Sequence, residues 1–343
     1  MQRVPQLKRA VSFEAALFLW LFIAKTINGA LGACEMNKLN EAIASKDSRE
    51  FGKAEFQLTS SSLITVDYIA PPASVSDYVT TLYHFRCDEE EIRDIQPASI
   101  GHLSLFPFGK GKMIFRGGNR DSNPEIAILT PLSTATPIYV RGPFHVIGAA
   151  LTPLGWAALT GMHAGENRDR LLEAEGILGS EITALGERLN TEYRLGTMGG
   201  YDCALALGEY IERAVKPVNA RHVELIRRVN TWLGSSLNPD LADLVVQAAY
   251  SQRQVQRLTE RYFGLPPQKL ARKYRALRAA ALMSFPQLTP EFEAELAEAF
   301  FDQSHMIREI NLFAGRTPAR LNDDDTPFLS EMLDPKNFRE LGL

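Results

Sequence analysis

An internal near-repeat in the last third of the chain constrains the fold more than any other feature. Shifted by 51 residues, Gln252 falls on Gln303, Val255 on Met306, Arg257 on Arg308, Tyr262 on Phe313, Gly264 on Gly315 and Pro267 on Pro318. Such self-similarity marks two copies of one supersecondary unit. In the first copy Leu241, Leu244, Val245 and Ala248 recur at i, i+3, i+4 and i+7, which predicts a helix with one buried stripe. A turn over 249–251 follows, and Ser251 is placed to cap a second helix that runs to about Phe263 and stops at Gly264. In the second copy Phe292, Leu296, Ala299 and Phe300 form the stripe, Asp302 can cap, and Met306, Ile310 and Phe313 face inward. Each copy therefore reads as helix, tight turn, helix.

The outward faces carry the chemistry. On the second helix of the first copy, Val255, Leu258 and Tyr262 share one side, and Arg253, Gln256, Arg257 and Glu260 point away from it. In the second copy Ser304, Arg308 and Asn311 face outward, with Gln303 and His305 at the helix entrance. Arginine pairs bidentately with guanine and glutamine with adenine, so forks on a short, anchored helix suit a DNA major groove. Between the copies, 267–283 predicts a helix rich in Arg, Lys and Ala, roughly 25 Å long at 1.5 Å per residue. That length suits two reading helices set about one duplex turn apart, about 34 Å. Lys269, Arg272, Lys273, Arg275 and Arg278 on it are candidate phosphate contacts, some of which must pack or pair instead.

Charge resolved along the chain agrees with this placement. The 343 residues carry a net charge of -4 with pI about 6.0, which excludes a uniformly basic nucleic-acid coat and a polyanionic solvating tail. Residues 1–218 sum to -4, residues 219–283 to +7 and residues 284–343 to -7. The acidic surroundings of the second copy predict that it binds DNA more weakly than the first. With 45% apolar residues the chain is an ordinary globular one of about two domains. Its three cysteines, Cys34, Cys87 and Cys203, are too scattered for a disulfide framework or a zinc site.

Upstream, β-branched and aromatic runs predict strands over 63–69, 78–85, 102–108, 112–115, 125–129, 138–140 and 144–151. Gly109, Gly111, Gly117, Gly118 and Asn119, and then Arg141, Gly142 and Pro143, read as turns between them. Strands at this spacing suggest a small barrel or sandwich. From Glu166 to Lys216 apolar residues, beginning with Leu171 and Leu172, recur at helical spacing and predict a helical layer. At the N-terminus an apolar run from Ala10 to Ala24, broken by Glu14, is too short to span a membrane. A start-site extension or a locally packed helix is expected there in preference to a secretion or lipoprotein signal.

The stretches SQRQVQRLTERYFGLPPQKLARKYRALRAAALM, from Ser251, and FFDQSHMIREINLFAGRTPARL, from Phe300, together resemble the DNA-binding domain of AraC family transcription regulators. The resemblance covers about 105 residues and implies two helix-turn-helix units joined by a long helix. It implies base contacts from Arg253, Gln256 and Arg257 in the first unit and from Gln303, Ser304, Ile307 and Arg308 in the second. Phosphate contacts are expected from Ser251, Lys269, Arg272, Lys273 and Arg278. Ala249 and Ala299 stand where the family often has a turn glycine, which is tolerated while φ stays negative. PASIGHLSLFPFGKGKM and GPFHVIGAALTPLGWAALTG look like the N-terminal domains of some of these regulators, implying a small-molecule sensing or dimerisation role.

A cupin-like metal enzyme with a helical appendage is the rival, but His84, His102 and His145 lack the close histidine pair plus glutamate such a site needs. No nucleotide loop or nucleophile signature is present, and Asp323, Asp324 and Asp325 read as a solvated run. The expected fold is α+β. A β-rich, barrel-like sensor domain at 36–155 follows an extension at 1–35. A helical linker or dimerisation region at 156–218, an all-α DNA-binding domain at 219–325 and a tail at 326–343 complete the chain. The expected protein is a cytoplasmic, non-enzymatic homodimer without catalytic residues, metal or cofactor. Its partners would be double-stranded DNA and a small-molecule effector, with RNA polymerase as a further candidate.

Overall fold

The structure, a computed structural model, describes residues 63–284 and 290–317. The extension at 1–35, the start of the sensor region, Asp323 to Asp325, Pro318 and the tail at 326–343 lie outside the described residues. Among the described residues eight strands, β1 (Ile64–Ile69), β2 (Val79–Cys87), β3 (Glu91–Gln96), β4 (His102–Ile114), β5 (Arg120–Ser122), β6 (Ile126–Leu129), β7 (Thr136–Leu151) and β8 (Leu171–Glu173), form one antiparallel sheet. Its main path runs β1-β2-β7-β4-β6-β8, with β3 added on β7 and β5 on β4. The ends of this path do not pair, so the barrel-like sheet is not closed.

Period-two alternation sorts the side chains of the sheet. On β4, Leu103 and Leu105 join the core under the covering helices, whereas Phe106 joins a second apolar cluster on the opposite face. The first face is covered by α1 (Pro153–Thr160), α3 (Ser180–Arg194) and α4 (Gly200–Ala214), with the short α2 (Glu175–Leu178) leading into α3.

Several boundaries differ from the sequence reading, each for a local reason. The runs over 102–108 and 112–115 are one strand, and so are those over 138–140 and 144–151. Between Leu105 and Phe108 the register gains a residue on β4, and between Phe108 and Lys110 it gains two on β7. Pro107 and Pro143 sit within these irregularities, where a missing N–H is tolerated, and Gly109 adopts φ +88°. Strand β3 was not anticipated, because three of its six residues are charged. Leu171 and Leu172 belong to strand β8 instead of a helix, so the sheet extends past residue 155.

Among the described residues the C-terminal part is all-α: α5 (Ala220–Ser235), α6 (Leu241–Gln247), α7 (Gln252–Phe263), α8 (Pro267–Ser284), α9 (Pro290–Ala299) and α10 (Gln303–Ala314). Pairs α6–α7 and α9–α10 are the two copies of the repeat, with α8 between them. Their ends match closely. Ser251 caps α7 through a reciprocal capping box with Gln254, and the Asp302 carboxylate accepts from the His305 amide at 2.7 Å. Gly264 and Gly315 end the two helices at φ +84° and +79°, where a side chain would be strained. The turns differ: Ala249 takes φ +52°, outside the negative range in which alanine is tolerated without strain.

The two parts are docked through backbone and charge. Ala98 N donates to Phe313 O at 2.8 Å, Ala135 N to Leu312 O at 3.0 Å and Ala164 N to Arg261 O at 2.8 Å. The Arg316 guanidinium donates to Asp94 Oδ1 at 2.7 Å in a buried pair.

Candidate nucleic-acid interface and effector cavity

Helix α7 presents Gln252, Arg253, Gln256, Arg257 and Arg261 to solvent, and Val255, Leu258 and Tyr262 are buried beneath them. Its C-terminal end is fixed on two sides. The Tyr262 hydroxyl lies 2.6 Å from His222 Nδ1 on α5, and Arg168 donates to Gly264 O and Glu260 at the other side. The three expected base contacts of the first unit, Arg253, Gln256 and Arg257, are thus exposed together on one helix face. On α10, Gln303, Ser304 and Arg308 are exposed and Ile307 is half-buried above Met306, Ile310 and Phe313. Arg308 Nε donates to Ser304 O one turn back, which keeps that side chain against its own helix.

The expected phosphate contacts divide. Lys269 is exposed, and Ser251 is exposed although its hydroxyl serves the cap of α7. Arg272 is half-exposed and donates to Glu309 at 2.7 Å. Lys273 and Arg278 require a correction. Lys273 is 2% exposed, and its ammonium donates to Ser99 O at 2.8 Å and Leu132 O at 3.1 Å, so it joins α8 to the sheet. Arg278 donates to Leu233 O at 3.2 Å and Ser236 O at 2.8 Å, closing the C-terminal end of α5. Arg275 is also buried. Part of the cationic block therefore holds the fold together and is not presented to solvent.

Glu309, 2% exposed, is the centre of this arrangement. It accepts from Arg272 and from Arg275, the latter at 2.7 Å, and lies 3.1 Å from His305 Nε2. Arg275 also reaches Asn238 Oδ1 at 2.9 Å and lies over the Phe300 ring at 5.0 Å. A buried carboxylate between cations ties α10 to α8. Sequence spacing shows only its i, i+4 relation to His305.

The second candidate site is a cavity of about 210 Å³ between the open side of the sheet and α8. Phe85, Phe106, Met113, Ile138, Phe144 and Val146 make most of it apolar, and Ser99, His102 and Lys273 lie on its lining too. Tyr83 OH and Ser104 Oγ bond to each other at 2.9 Å, and burial pushes the Tyr83 phenol up to about 12. Burial, with the Lys273 charge adding to it, pulls His102 down to about 4, so its imidazole is neutral. Asp94, also on the lining, is pushed up by burial against the opposing pull of Arg316.

His84 and His145 face the opposite side of the sheet. Their ring nitrogens each lie 2.7 Å from the Tyr193 hydroxyl on α3, and burial, reinforced by Arg86, pulls His84 down to about 4. Among the described residues no group of three or more His, Cys, Asp or Glu could hold a metal ion. Cys87 and Cys203 are buried free thiols, and no described helix is long and apolar enough to cross a membrane.

No family model matches the chain, and no curated protein matches it either. Solved structures do. One is ToxT from Vibrio cholerae O395 bound to (E)-4-(8-methylnaphthalen-1-yl)but-3-enoic acid, at 11% identity, covering 80% of this chain and 98% of that one with a TM-score of 0.40. Another is unsaturated fatty acid bound wild-type ToxT from Vibrio cholerae strain SCE256, at 9% identity, 76% and 95% coverage and a TM-score of 0.39. The AraC-like transcriptional activator CuxR matches at 12% identity, covering 63% of this chain and 86% of that one, with a TM-score of 0.28. By both measures the similarity is distant.

Proposed function

We propose that this protein is a sequence-specific DNA-binding transcription regulator of the AraC kind, controlled by a small molecule in the sheet cavity. The observation that carries the reading is the pair of helix-turn-helix units, each capped by an oxygen side chain, stopped by a left-handed glycine and presenting polar forks outward. Arg253, Gln256 and Arg257 on α7 read one half-site, and Gln303, Ser304, Ile307 and Arg308 on α10 read the other. Lys269, Ser251 and the half-exposed Arg272 hold the phosphate backbone. Lys273 and Arg278 serve the fold instead.

The cavity supports the effector half of the reading. It is lined by both the sheet and α8, so an occupant touches the helix that joins the two reading units. A ligand that changes how Lys273 and Tyr274 seat against the sheet changes the setting of those units. The protein acts as a cytoplasmic homodimer, with α3 and α4 as the candidate dimerisation helices, and RNA polymerase is a further partner. Residues 36–155 serve as the sensor domain, 156–218 as the linker and 219–325 as the DNA-binding domain. Selection from a randomised duplex pool tests the reading. It should enrich one motif with two blocks about 10 base pairs apart, centre to centre.

A further inference from the structure

The unmet polar groups of the cavity indicate what its occupant carries; this step rests on the cavity being the effector site. His102 lies on the lining with Nδ1 and Nε2 both buried and without a hydrogen-bond partner, and the hydroxyl of Ser99, on the same lining, is in the same position. A neutral imidazole offers one N–H donor and one lone-pair nitrogen, and leaving either unpaired in an apolar surround is unfavourable. Tyr83, Ser104, Lys273 and Asp94, also on the lining, have partners within the protein. Tyr83 and Ser104 satisfy each other, Lys273 donates to two backbone carbonyls, and Asp94 Oδ1 accepts from Arg316 and from the Ile95 amide.

We propose that the cavity takes a small apolar molecule bearing an uncharged hydroxyl, an alcohol or a phenol, and that His102 is the residue that selects it. A hydroxyl both donates and accepts, so it can donate to the lone-pair nitrogen of His102 while accepting from the Ser99 hydroxyl. A carboxylate only accepts. It could take the His102 N–H but not the lone-pair nitrogen, so it pairs no more of the imidazole than a hydroxyl does, and it would bring a charge into an apolar chamber. A hydrocarbon would leave every one of these groups unpaired. Lys112 and Lys273 are cations on the lining that would favour an anion, and the test is set against that alternative.

Octan-1-ol and octanoate are titrated calorimetrically into the full-length protein, wild type and variants, without DNA. The wild type should bind octan-1-ol about tenfold more tightly than octanoate, because only octanoate carries a charge into the apolar chamber. His102→Phe should bind octan-1-ol about tenfold more weakly, the loss of one hydrogen bond. Ser99→Ala, a smaller change that keeps the loop backbone, should weaken octan-1-ol binding in the same direction. Tighter binding of octanoate by the wild type, octan-1-ol affinity unchanged in both variants, or no binding of either probe by the wild type overturns the proposal. Sequence-specific DNA binding is measured on the same samples. If it persists while the probes fail, this inference falls and the regulator reading stands; if it is absent from the wild type while the probes bind as expected, the regulator reading falls.

Discussion

Replacing Glu309 by glutamine should loosen the second reading helix while leaving the sheet intact. The carboxylate is 2% exposed and faces Arg275, itself 8% exposed, with Arg272 and His305 at its other edge. Breaking a buried ion pair by neutralising one partner costs about 3–5 kcal/mol, because the remaining charge stays desolvated. The lower end applies here. Glutamine keeps one acceptor oxygen, and Arg275 retains Asn238 Oδ1 and the Phe300 ring. Arg272 adds little, since its side chain is 49% exposed and water screens it. A loss of about 3 kcal/mol corresponds to roughly a hundredfold faster amide exchange through opening of α10. Hydrogen exchange read residue by residue should show this acceleration on α10 and no change on β4 and β7. Exchange on α10 within about threefold of wild type would refute the claim that Glu309 pins the helix. An equal acceleration across β4 and β7 would refute the claim that α10 opens separately from the sheet.

Other consequences are independent of that one. Ala249→Gly relieves a left-handed alanine at φ +52° and should raise stability by about 1 kcal/mol, read as a higher urea midpoint. Lys269→Ala should lower the salt dependence of DNA binding by about one phosphate contact, whereas Lys273→Met should leave that slope unchanged because its ammonium is not presented to DNA. Stability should fall on acidification. His84 and His102 are held near 4 in the folded chain, whereas an unfolded histidine takes up a proton near 6.5. Their contribution is complete above about pH 6.5 and is lost as pH falls towards 4, so urea midpoints should drop between pH 7 and pH 5, and by less in His102→Asn.

The repeat, its caps and its stops were legible because they depend on local chemistry. A serine or aspartate before a helix and a glycine after it act through atoms within a turn of themselves, so Ser251, Asp302, Gly264 and Gly315 carry their meaning in the sequence. The polar forks of α7 and α10 were legible for the same reason, since an amphipathic stripe reveals its outward face. The roles of the cations on α8 were not. An exposed lysine and one that crosses into another domain have the same spacing, and only the fold shows that Ser99 and Leu132 present carbonyls to Lys273. The cavity was hidden as well. Its lining is contributed by several strands and by α8, and His102 becomes distinctive only when its surroundings leave both nitrogens unpaired. Strands β4 and β7 appeared broken because glycine and proline mark turns and bulges alike. At Gly109 and Pro143 the longer pairing of the sheet carries the strand through.

The central claim is that α7 reads base identity. Competition binding of the Arg257→Ala variant on the duplex selected by the wild type, set against random duplex at fixed salt, tests it most directly. The account predicts a loss of about 1–3 kcal/mol on the selected site with random binding nearly unchanged. Equal losses on both duplexes would contradict it, and would reduce Arg257 to a contact with the phosphate backbone.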